Sequence, residues 1–579
     1  MEPRKLTPFL TVAPQISVAD VAVIASSGFH TIINNRPDNE GEGQPESAEI
    51  EAAAKAAGLD YHHLPCISGG IKPEDIEGMT KLLDEVKGPV LAFCRTGTRS
   101  TMLWGLSEAR HLDPDTIIAT AAGAGYDLAG MRGQLESINA SASGKKKTLI
   151  DNGPVHDVVI VGGGAGGIAT ASSLLKRRPG LDIVICEPAE HHYYQPGWTL
   201  VGGGVFNRAQ TQRSMASVMP DKVKWKRVAV EGFEPQLNRI VLEDGERLRY
   251  RTLIVSPGIK LNWDAVEGLS DTLGRNGVTS NYKFDMAPYT WELVQGLRGG
   301  KAVFTQPPMP IKCAGAPQKA LYLSCDAWRR NGRLNDIDVQ FFNAGGVLFG
   351  VEHYVPELMK YINRYNAQLN FHHNLVKIDG DAKKAWFKKA EPGKDAETVE
   401  VDFDMIHVCP PQCAPDFVSK SDLANDSGWV DVSPETLQSP KFGNVFGLGD
   451  ACSAPNAKTA AAVRKQAPVV AENILAILDG HDPMSLYDGY GSCPLTVERG
   501  KIVLAEFGYG GKLLPTLPTW LLNGGKATRS AWFMKEKMLP PIYFDMMLKG
   551  REWLAEPQRL AHKPVSREAA DACVSEPRK

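Results

Sequence analysis

Val158-Val159-Ile160-Val161-Gly162-Gly163-Gly164-Ala165-Gly166-Gly167 decides the fold of the larger part of this chain. An apolar run that ends in glycines at 162, 164 and 167 reads as a strand entering a G-x-G-x-x-G turn and then a helix. The first glycine permits the tight turn, the second lets backbone approach a pyrophosphate, and the third lets the helix pack on the strand, whose helix N-terminus then faces the phosphates. Glu187 follows Gly167 by twenty residues at the end of LDIVICE, the next strand, where a carboxylate can accept from ribose hydroxyls. The unit is a βαβ nucleotide site in a parallel sheet.

This fingerprint alone does not separate FAD from NAD. Phe446-Gly447-Leu448-Gly449-Asp450 does, because a short strand returns to a Gly-Asp pair ahead of the helical stretch KTAAAVRKQAPVVAENILAIL. An aspartate there can hold a flavin ribityl chain while a helix N-terminus faces the ring edge. The counterpart in a second lobe, FFNAGGVLFG, has glycines at 345, 346 and 350 but not the spacing that seats a second pyrophosphate. The expected cofactor is therefore one FAD, with no NAD(P)H site, and electrons must pass by another route.

The chain's 579 residues exceed one ordinary core. With 43% hydrophobic and 23% charged residues the chain reads as folded, and a net charge of -3 argues against a nucleic-acid partner. No apolar run approaches the ~20 residues of a spanning helix. MEPRKLTPFLTVAP lacks the pattern of a secretory signal, so a cytoplasmic location is expected. Ten cysteines are too sparse for a disulfide scaffold and are read as core thiols or reactive groups.

The expected fold class is α/β throughout. Residues 1–136 form an α/β domain, and 137–153, SINASASGKKKTLIDNG, a linker. Residues 154–300 form the first part of the FAD lobe, 301–430 a second Rossmann-like lobe, and 431–485 the return to the FAD lobe. Residues 486–560 form a C-terminal contact region with amphipathic helical character, and 561–579 a polar tail containing Cys573. His62, His63, His191 and His192 form adjacent pairs that a strand points to opposite faces, so no metal site is read from them.

In the first domain, strand PVLAF runs into Cys94-Arg95-Thr96-Gly97-Thr98-Arg99-Ser100 and a helix. Backbone N–H groups gathered around the sulfur, the helix dipole and Arg99 favour a thiolate that binds an anion or carries a persulfide. With INNRPDNE, this loop resembles the tyrosine-phosphatase-related domain. Its four residues between Cys94 and Arg99 make it one shorter than a phosphatase loop and similar to rhodanese. A sulfurtransferase is the expected activity and a phosphatase the alternative; Asp38 and Asp75 are candidate acids for phosphate-ester cleavage, though a loop or helix-start carboxylate is the commoner role for either.

Pro310-Ile311-Lys312-Cys313-Ala314-Gly315-Ala316-Pro317-Gln318-Lys319, the Gly-Asp return with Pro455 and Lys458-Thr459-Ala460 behind it, His192-Tyr193-Tyr194-Gln195-Pro196, Ser492-Cys493-Pro494 and MLPPIYFDMMLKG resemble sulfide:quinone oxidoreductases over roughly residues 155–555, in the branch that includes the mitochondrial enzymes. The resemblance implies a flavoprotein that oxidises sulfide through a cysteine pair and reduces a membrane quinone. It carries the sulfur role beside the flavin to Cys313. The family's partner thiol directly follows the Gly-Asp pair. Here that place is Ala451, so the next residue, Cys452, is the expected partner, with Cys409 and Cys413 as alternatives.

Hydrosulfide opens such a disulfide, leaving a persulfide on one sulfur and a thiolate on the other, and the sulfane sulfur then leaves to an acceptor such as glutathione. Lys312, Lys319 and a helix start after Cys452 are expected to lower the thiol pKa values, while Cys186 and Cys325 read as core thiols. Sulfane sulfur made here would pass to Cys94. Trp520-Leu521-Leu522, Trp532-Phe533-Met534 and Ile542-Tyr543-Phe544, flanked by Lys535, Lys537 and Lys549, are expected to contact quinone and lie peripherally on a membrane surface. A homo-oligomer is compatible with the sequence. The rivals are an NADH:quinone oxidoreductase, which would need the missing second glycine fingerprint, and a flavin-binding scaffold that docks the N-terminal domain.

Overall fold

A computed structural model describes residues 3–7, 9–67, 69–86, 88–110, 112–142 and 153–559. Two compact units are present, Met1–Ile150 and Asp151–Lys579. In the first, strands Leu10–Ala13, Val90–Phe93, Thr31–Asn34 and Asp60–His63 run parallel in that spatial order, with Arg4–Lys5 antiparallel at the edge. Successive strand side chains point to opposite faces. Val12, Ile33, Val90 and Ala92 therefore pack with Leu103, Trp104 and Leu135, while Ala13, Ile32, Leu91 and Phe93 pack with Val21, Ile24 and Ile50. The first part of the expected linker is instead the end of a helix, Arg132–Ala142. Leu135 is buried and the Asn139 amide donates to the carbonyls of Ala109 and Leu112, which holds this polar stretch on the domain. The rest of the linker to residue 152, and the polar tail with Cys573, lie outside the described residues.

In the second unit, Ile183–Cys186, Val155–Val161, Arg247–Val255 and Val445–Gly447 are neighbouring parallel strands of one seven-stranded sheet. Their apolar runs IVIC, VVIV and LIV follow from burial on both faces, while the first half of Arg247–Val255 alternates. A second, five-stranded parallel sheet orders Val278–Thr279, Met405–His407, Gly300–Gln306, Ile337–Asn343 and Gln368–Phe371, with a three-stranded antiparallel sheet, His373–Asp379, Lys384–Lys389 and Glu397–Asp402, beside it. Strand Val445–Gly447 returns the chain to the first sheet and leads to helix Ala460–Leu478. An antiparallel hairpin, Gly491–Glu498 and Lys501–Phe507, follows.

The C-terminal helical stretch is locked onto helix Ala165–Arg177. Ser172 Oγ donates to the Leu548 carbonyl at 2.7 Å, and the Arg177 guanidinium forks onto both Glu552 oxygens at 2.6 and 2.8 Å. Among the described residues no helix is long and apolar enough to cross a membrane.

Candidate functional site

Turn geometry brings the glycine loop and Glu187 together. Gly162 has φ +98°, and a Cβ on Gly167 would lie 2.0 Å from the Gly162 carbonyl oxygen, so helix and turn can close only without side chains. Glu187 Oε2 accepts from the Gly163 N–H at 2.8 Å and Oε1 from the Ala189 N–H at 2.8 Å, which fixes the carboxylate at the loop's edge. Gly164, Ala165, Gly166 and Glu187 line one end of a cavity of about 460 Å³. Gly449, Asp450 and Cys313 line the same cavity. Burial pushes the Asp450 carboxyl above its usual range, and its side chain has no hydrogen-bond partner among the described residues. An unpartnered carboxylate facing a cavity that begins at a dinucleotide turn fits the ribityl hydroxyls of a flavin dinucleotide.

Cys313 lies between strand Gly300–Gln306 and helix Ala316–Arg330 with φ +53°, a left-handed conformation that costs a residue with a Cβ. Two backbone hydrogen bonds hold it there. Its N–H donates to the Lys458 carbonyl at 2.9 Å, and its carbonyl accepts from the Ala316 N–H at 2.7 Å. Lys458 in turn donates from Nζ to the carbonyls of Asp450 and Cys452 at 2.8 and 2.9 Å, so the cysteine loop is tied to the Gly-Asp loop.

The neighbouring sulfur is Cys493, not Cys452. Cys313 Sγ lies 3.2 Å from Cys493 Sγ, and Lys319 Nζ donates to Cys313 Sγ at 3.1 Å. Cys493 sits in the hairpin and packs over Gly315, where a Cβ would stand 3.1 Å from Cys493 Sγ and 2.3 Å from Leu495 Cδ2. A side chain at 315 would force the sulfurs apart. Ser492-Cys493-Pro494 stood in the sequence resemblance without a role. The available signal was a cysteine inside that motif on a strand with a buried alternate face.

Cys452 is engaged elsewhere. Its Sγ donates to the Gly449 carbonyl at 3.2 Å, and burial raises its pKa. The expected helix start is not beside it either, since helix Ala460–Leu478 begins eight residues later behind Thr459. Cys409 is buried beside Tyr282 and Ile311, with its thiol pushed up to about 12 by burial, and Cys413 pairs with Lys260 on a short strand. Cys186 and Cys325 are buried in the two cores, and burial raises both thiols, Cys186 to about 12.

Charge around the pair is asymmetric. The Cys493 thiol donates to Cys313, and with the Lys319 ammonium it holds Cys313 well below the ordinary thiol range despite burial. The Cys313 anion and burial keep Cys493 protonated. Burial alone would lower Lys319, but the Cys313 thiolate outweighs it and holds the ammonium charged. Lys312 does not touch the sulfur: its Nζ donates to Gln195 Oε1.

Lys535, expected at the lipid headgroups, is 2% exposed and donates to the Pro196 carbonyl at 3.0 Å. Burial, then Lys319, pushes its ammonium down to about 7. It is the buried residue of a π-helical turn, Met534–Met538. Tyr543 and Phe544 are also buried, whereas Trp520 (84% exposed), Leu521, Phe533 and Met538 face outward.

Because Cys313 is held anionic by a donor thiol and an ammonium, alkylation of the reduced protein by iodoacetamide is expected to stay fast as pH falls through neutrality. Lys319→Met removes the positive charge, raises the thiol pKa and slows alkylation at neutral pH by roughly ten-fold or more. Equal pH profiles for the two proteins count against this electrostatic account.

In the first unit, Cys94 is buried at the end of strand Val90–Phe93, and the Gly97 N–H points at its Sγ from 3.2 Å. Arg99 is 5% exposed. Its fork donates to the Cys66 carbonyl at 2.7 Å and to Glu40 Oε2 at 2.6 Å, while Arg36 holds the same Glu40 oxygen at 2.8 Å. The guanidinium therefore braces the loop, and the direct donor to the sulfur is backbone. Asp38 and Asp75 accept from the backbone N–H groups of Ser47 and Lys72 at 2.7 and 2.8 Å. Both carboxylates serve helix starts.

Residues 2–111 match the family model "Beta-lactamase hydrolase-like protein, phosphatase-like domain". The chain is 41% identical over 417 residues, 72% of its length and 90% of the relative's, to "Sulfide:quinone oxidoreductase, mitochondrial" of Dictyostelium discoideum. It is 38% identical over 395 residues, 68% of its length and 87% of the relative's, to the Mus musculus protein of the same name. The solved sulfide:quinone oxidoreductase of Aquifex aeolicus shares the fold, with TM-score 0.59, 19% identity, and coverage of 71% of this chain and 100% of that one.

Proposed function

This chain belongs to the sulfide:quinone oxidoreductase family, and on that premise we propose that Cys313 and Cys493 are the sulfur-handling couple of its reaction. The enzyme is a FAD flavoprotein that oxidises sulfide and reduces quinone. The observation that carries the assignment is the 3.2 Å sulfur–sulfur approach beside Lys319, on a cavity that also holds the glycine loop and Asp450.

The two sulfurs stand close enough that small side-chain rotations would let them form a disulfide once two electrons pass to a bound flavin and the Cys493 proton is released. Hydrosulfide attacking Cys493 Sγ breaks that bond, leaving a Cys493 persulfide and a Cys313 thiolate, which balances as one S–S bond formed for one broken. Lys319 stabilises the leaving thiolate and so selects Cys313 as the leaving sulfur. Gly164, Ala165, Gly166 and Glu187 would hold the pyrophosphate and ribose of FAD, and Asp450 its ribityl chain. The bound flavin supplies the two-electron acceptor. The persulfide's outer sulfur then leaves to a low-molecular-weight thiol such as glutathione.

The test runs sulfide and NADH side by side on purified flavoprotein. Sulfide is expected to bleach the visible flavin absorbance and NADH to leave it. Bleaching by NADH alone would reverse the reading in favour of the dehydrogenase.

Membrane attachment is supported by Trp520, Leu521, Phe533 and Met538, exposed apolar side chains on the C-terminal stretch. Trp520→Ser with Phe533→Ser is expected to reduce co-flotation with liposomes. An unmodified protein that stays in the dense fraction contradicts attachment. For the N-terminal domain we favour sulfurtransfer at Cys94, supported by its short loop and the backbone donor to its sulfur. Phosphate-ester cleavage is the second reading, favoured by the family-model match. The full chain is expected to use thiosulfate, with the activity lost in Cys94→Ser. Release of phosphate from an aryl phosphate, with thiosulfate unused, selects the second reading.

A further inference from the structure

The hairpin that carries Cys493 has two unlike faces. Cys493, Leu495, Val503 and Ala505 pack into the core with helix Ala316–Arg330. The alternate residues Ser492, Pro494, Leu504 and Glu506 line the cavity, as the period of a strand requires. Ser492 and Glu506 are direct cross-strand partners, and Cys493 stands opposite Ala505. Sulfur chemistry therefore occupies one face, and the other faces a chamber walled by Leu517, Leu522, Met534, Leu539 and Ile542.

That chamber holds one carboxylate not already placed. Among the described residues, the acidic ones lining the cavity are Glu187, Asp450 and Glu506, and the first two belong to the dinucleotide motifs. Glu506 is 7% exposed. Its Oε1 accepts from Tyr490 Oη at 2.6 Å and from Thr516 Oγ1 at 2.5 Å, and its Oε2 accepts from the Thr516 N–H at 3.2 Å. Tyr490 and Thr516 hydroxyls are themselves 2.9 Å apart. Thr516 is half-buried between exposed Pro515 and cavity-lining Leu517, which places the cluster at the margin of the chamber. Helix Ala460–Leu478 contributes Lys465, 5.7 Å from the Tyr490 ring centre, and Arg464, which donates to the Trp553 carbonyl. Asp488 accepts from the Tyr490 N–H, and Tyr354 bonds the Glu506 backbone.

We propose that Glu506 is the proton donor to the quinone, fed from solvent through Thr516 and Tyr490. The inference rests on the quinone reading above. Sulfide oxidation at neutral pH balances as HS⁻ + H⁺ + quinone → sulfane sulfur + quinol, so one proton must enter from solvent for each turnover. Charge arriving on the quinone oxygen raises the proton affinity of the neighbouring carboxylate. Glu506 then draws a proton through the Thr516 hydroxyl and passes it on, and the carboxylate returns to accepting its three hydrogen bonds. A carboxylate buried in an apolar wall with a hydroxyl path outward suits this task, because the donor must reach a substrate from which water is excluded.

The experiment separates the half-reactions in holoenzyme by stopped flow. In Glu506→Gln, bleaching by sulfide is expected at the wild-type rate, while reoxidation of the pre-reduced protein by a short-chain ubiquinone slows by roughly 10²-fold. Added formate, a small carboxylic acid, is expected to restore part of that loss, which a merely structural role would not allow. Thr516→Val and Tyr490→Phe, which keep the carboxylate, should slow reoxidation by about ten-fold and test the relay if Glu506→Gln does not accumulate. Wild-type reoxidation in Glu506→Gln, or in both hydroxyl variants, overturns the proposal. So does an equal slowing of both half-reactions without rescue by formate. A wild-type enzyme that sulfide bleaches but quinone does not reoxidise defeats the quinone reading itself.

Discussion

Cys493→Ser is expected to slow sulfide-driven flavin bleaching by about 10³-fold, some ~4 kcal/mol of barrier, while Cys452→Ser stays within about three-fold of wild type. The contrast follows from where each sulfur points. Serine at 493 keeps the hairpin's shape and a donor toward Cys313, but it removes the sulfur that hydrosulfide must attack and on which the persulfide forms. Cys452 is occupied with the Gly449 carbonyl, and the burial that raises its pKa suppresses its thiolate. Serine there can make the same hydrogen bond. Stopped-flow bleaching with sulfide as sole reductant checks both variants, with dithionite reduction as the control for intact flavin. A slow Cys452→Ser beside a fast Cys493→Ser would return the couple to the pairing that sequence proximity suggests.

The legible and illegible parts of this chain divide along a physical line. The turn at Gly162–Gly167, the carboxylate at Glu187 and the Gly449-Asp450 return are demands that backbone makes on a few consecutive residues, so they show in sequence. Cys94 at a strand end ahead of a helix is legible for the same reason. The partner of Cys313 is another kind of fact. It lies 180 residues away on a hairpin whose register decides which face meets helix Ala316–Arg330. A one-residue slip would put Ser492 or Pro494 against Cys313. Cys452 neighbours the Gly-Asp pair in sequence, but the chain runs eight residues further before the helix starts. Lys535 departs from its local pattern in the opposite direction. In a regular amphipathic helix a lysine among Trp, Phe and Met reads as a surface charge, but on this π-helical turn it lies beneath the surface.

Two glycines of the turn exclude a side chain for different reasons. At Gly167 the protein itself forbids a side chain, since a Cβ would lie 2.0 Å from the Gly162 carbonyl and 3.1 Å from Ile160 Cγ2. Gly167→Ala must push strand and helix apart, so it is expected to destabilise even the flavin-free protein by ~1–3 kcal/mol and to lower its Tm. At Gly164 a Cβ meets nothing within 4 Å, and φ −73° is open to any residue. The protein alone gives no reason for glycine there, yet the position borders the cavity where the pyrophosphate would approach backbone most closely. Gly164→Ala should therefore leave the melting of flavin-free protein unchanged and weaken FAD binding by roughly 10–100-fold, about 1.4–2.8 kcal/mol. Thermal melts of the stripped proteins and FAD titration by fluorescence quenching separate the two. If Gly164→Ala binds FAD like wild type, the dinucleotide does not sit against this turn. If Gly167→Ala melts like wild type, the strand and helix are looser than their 2.0 Å closure implies.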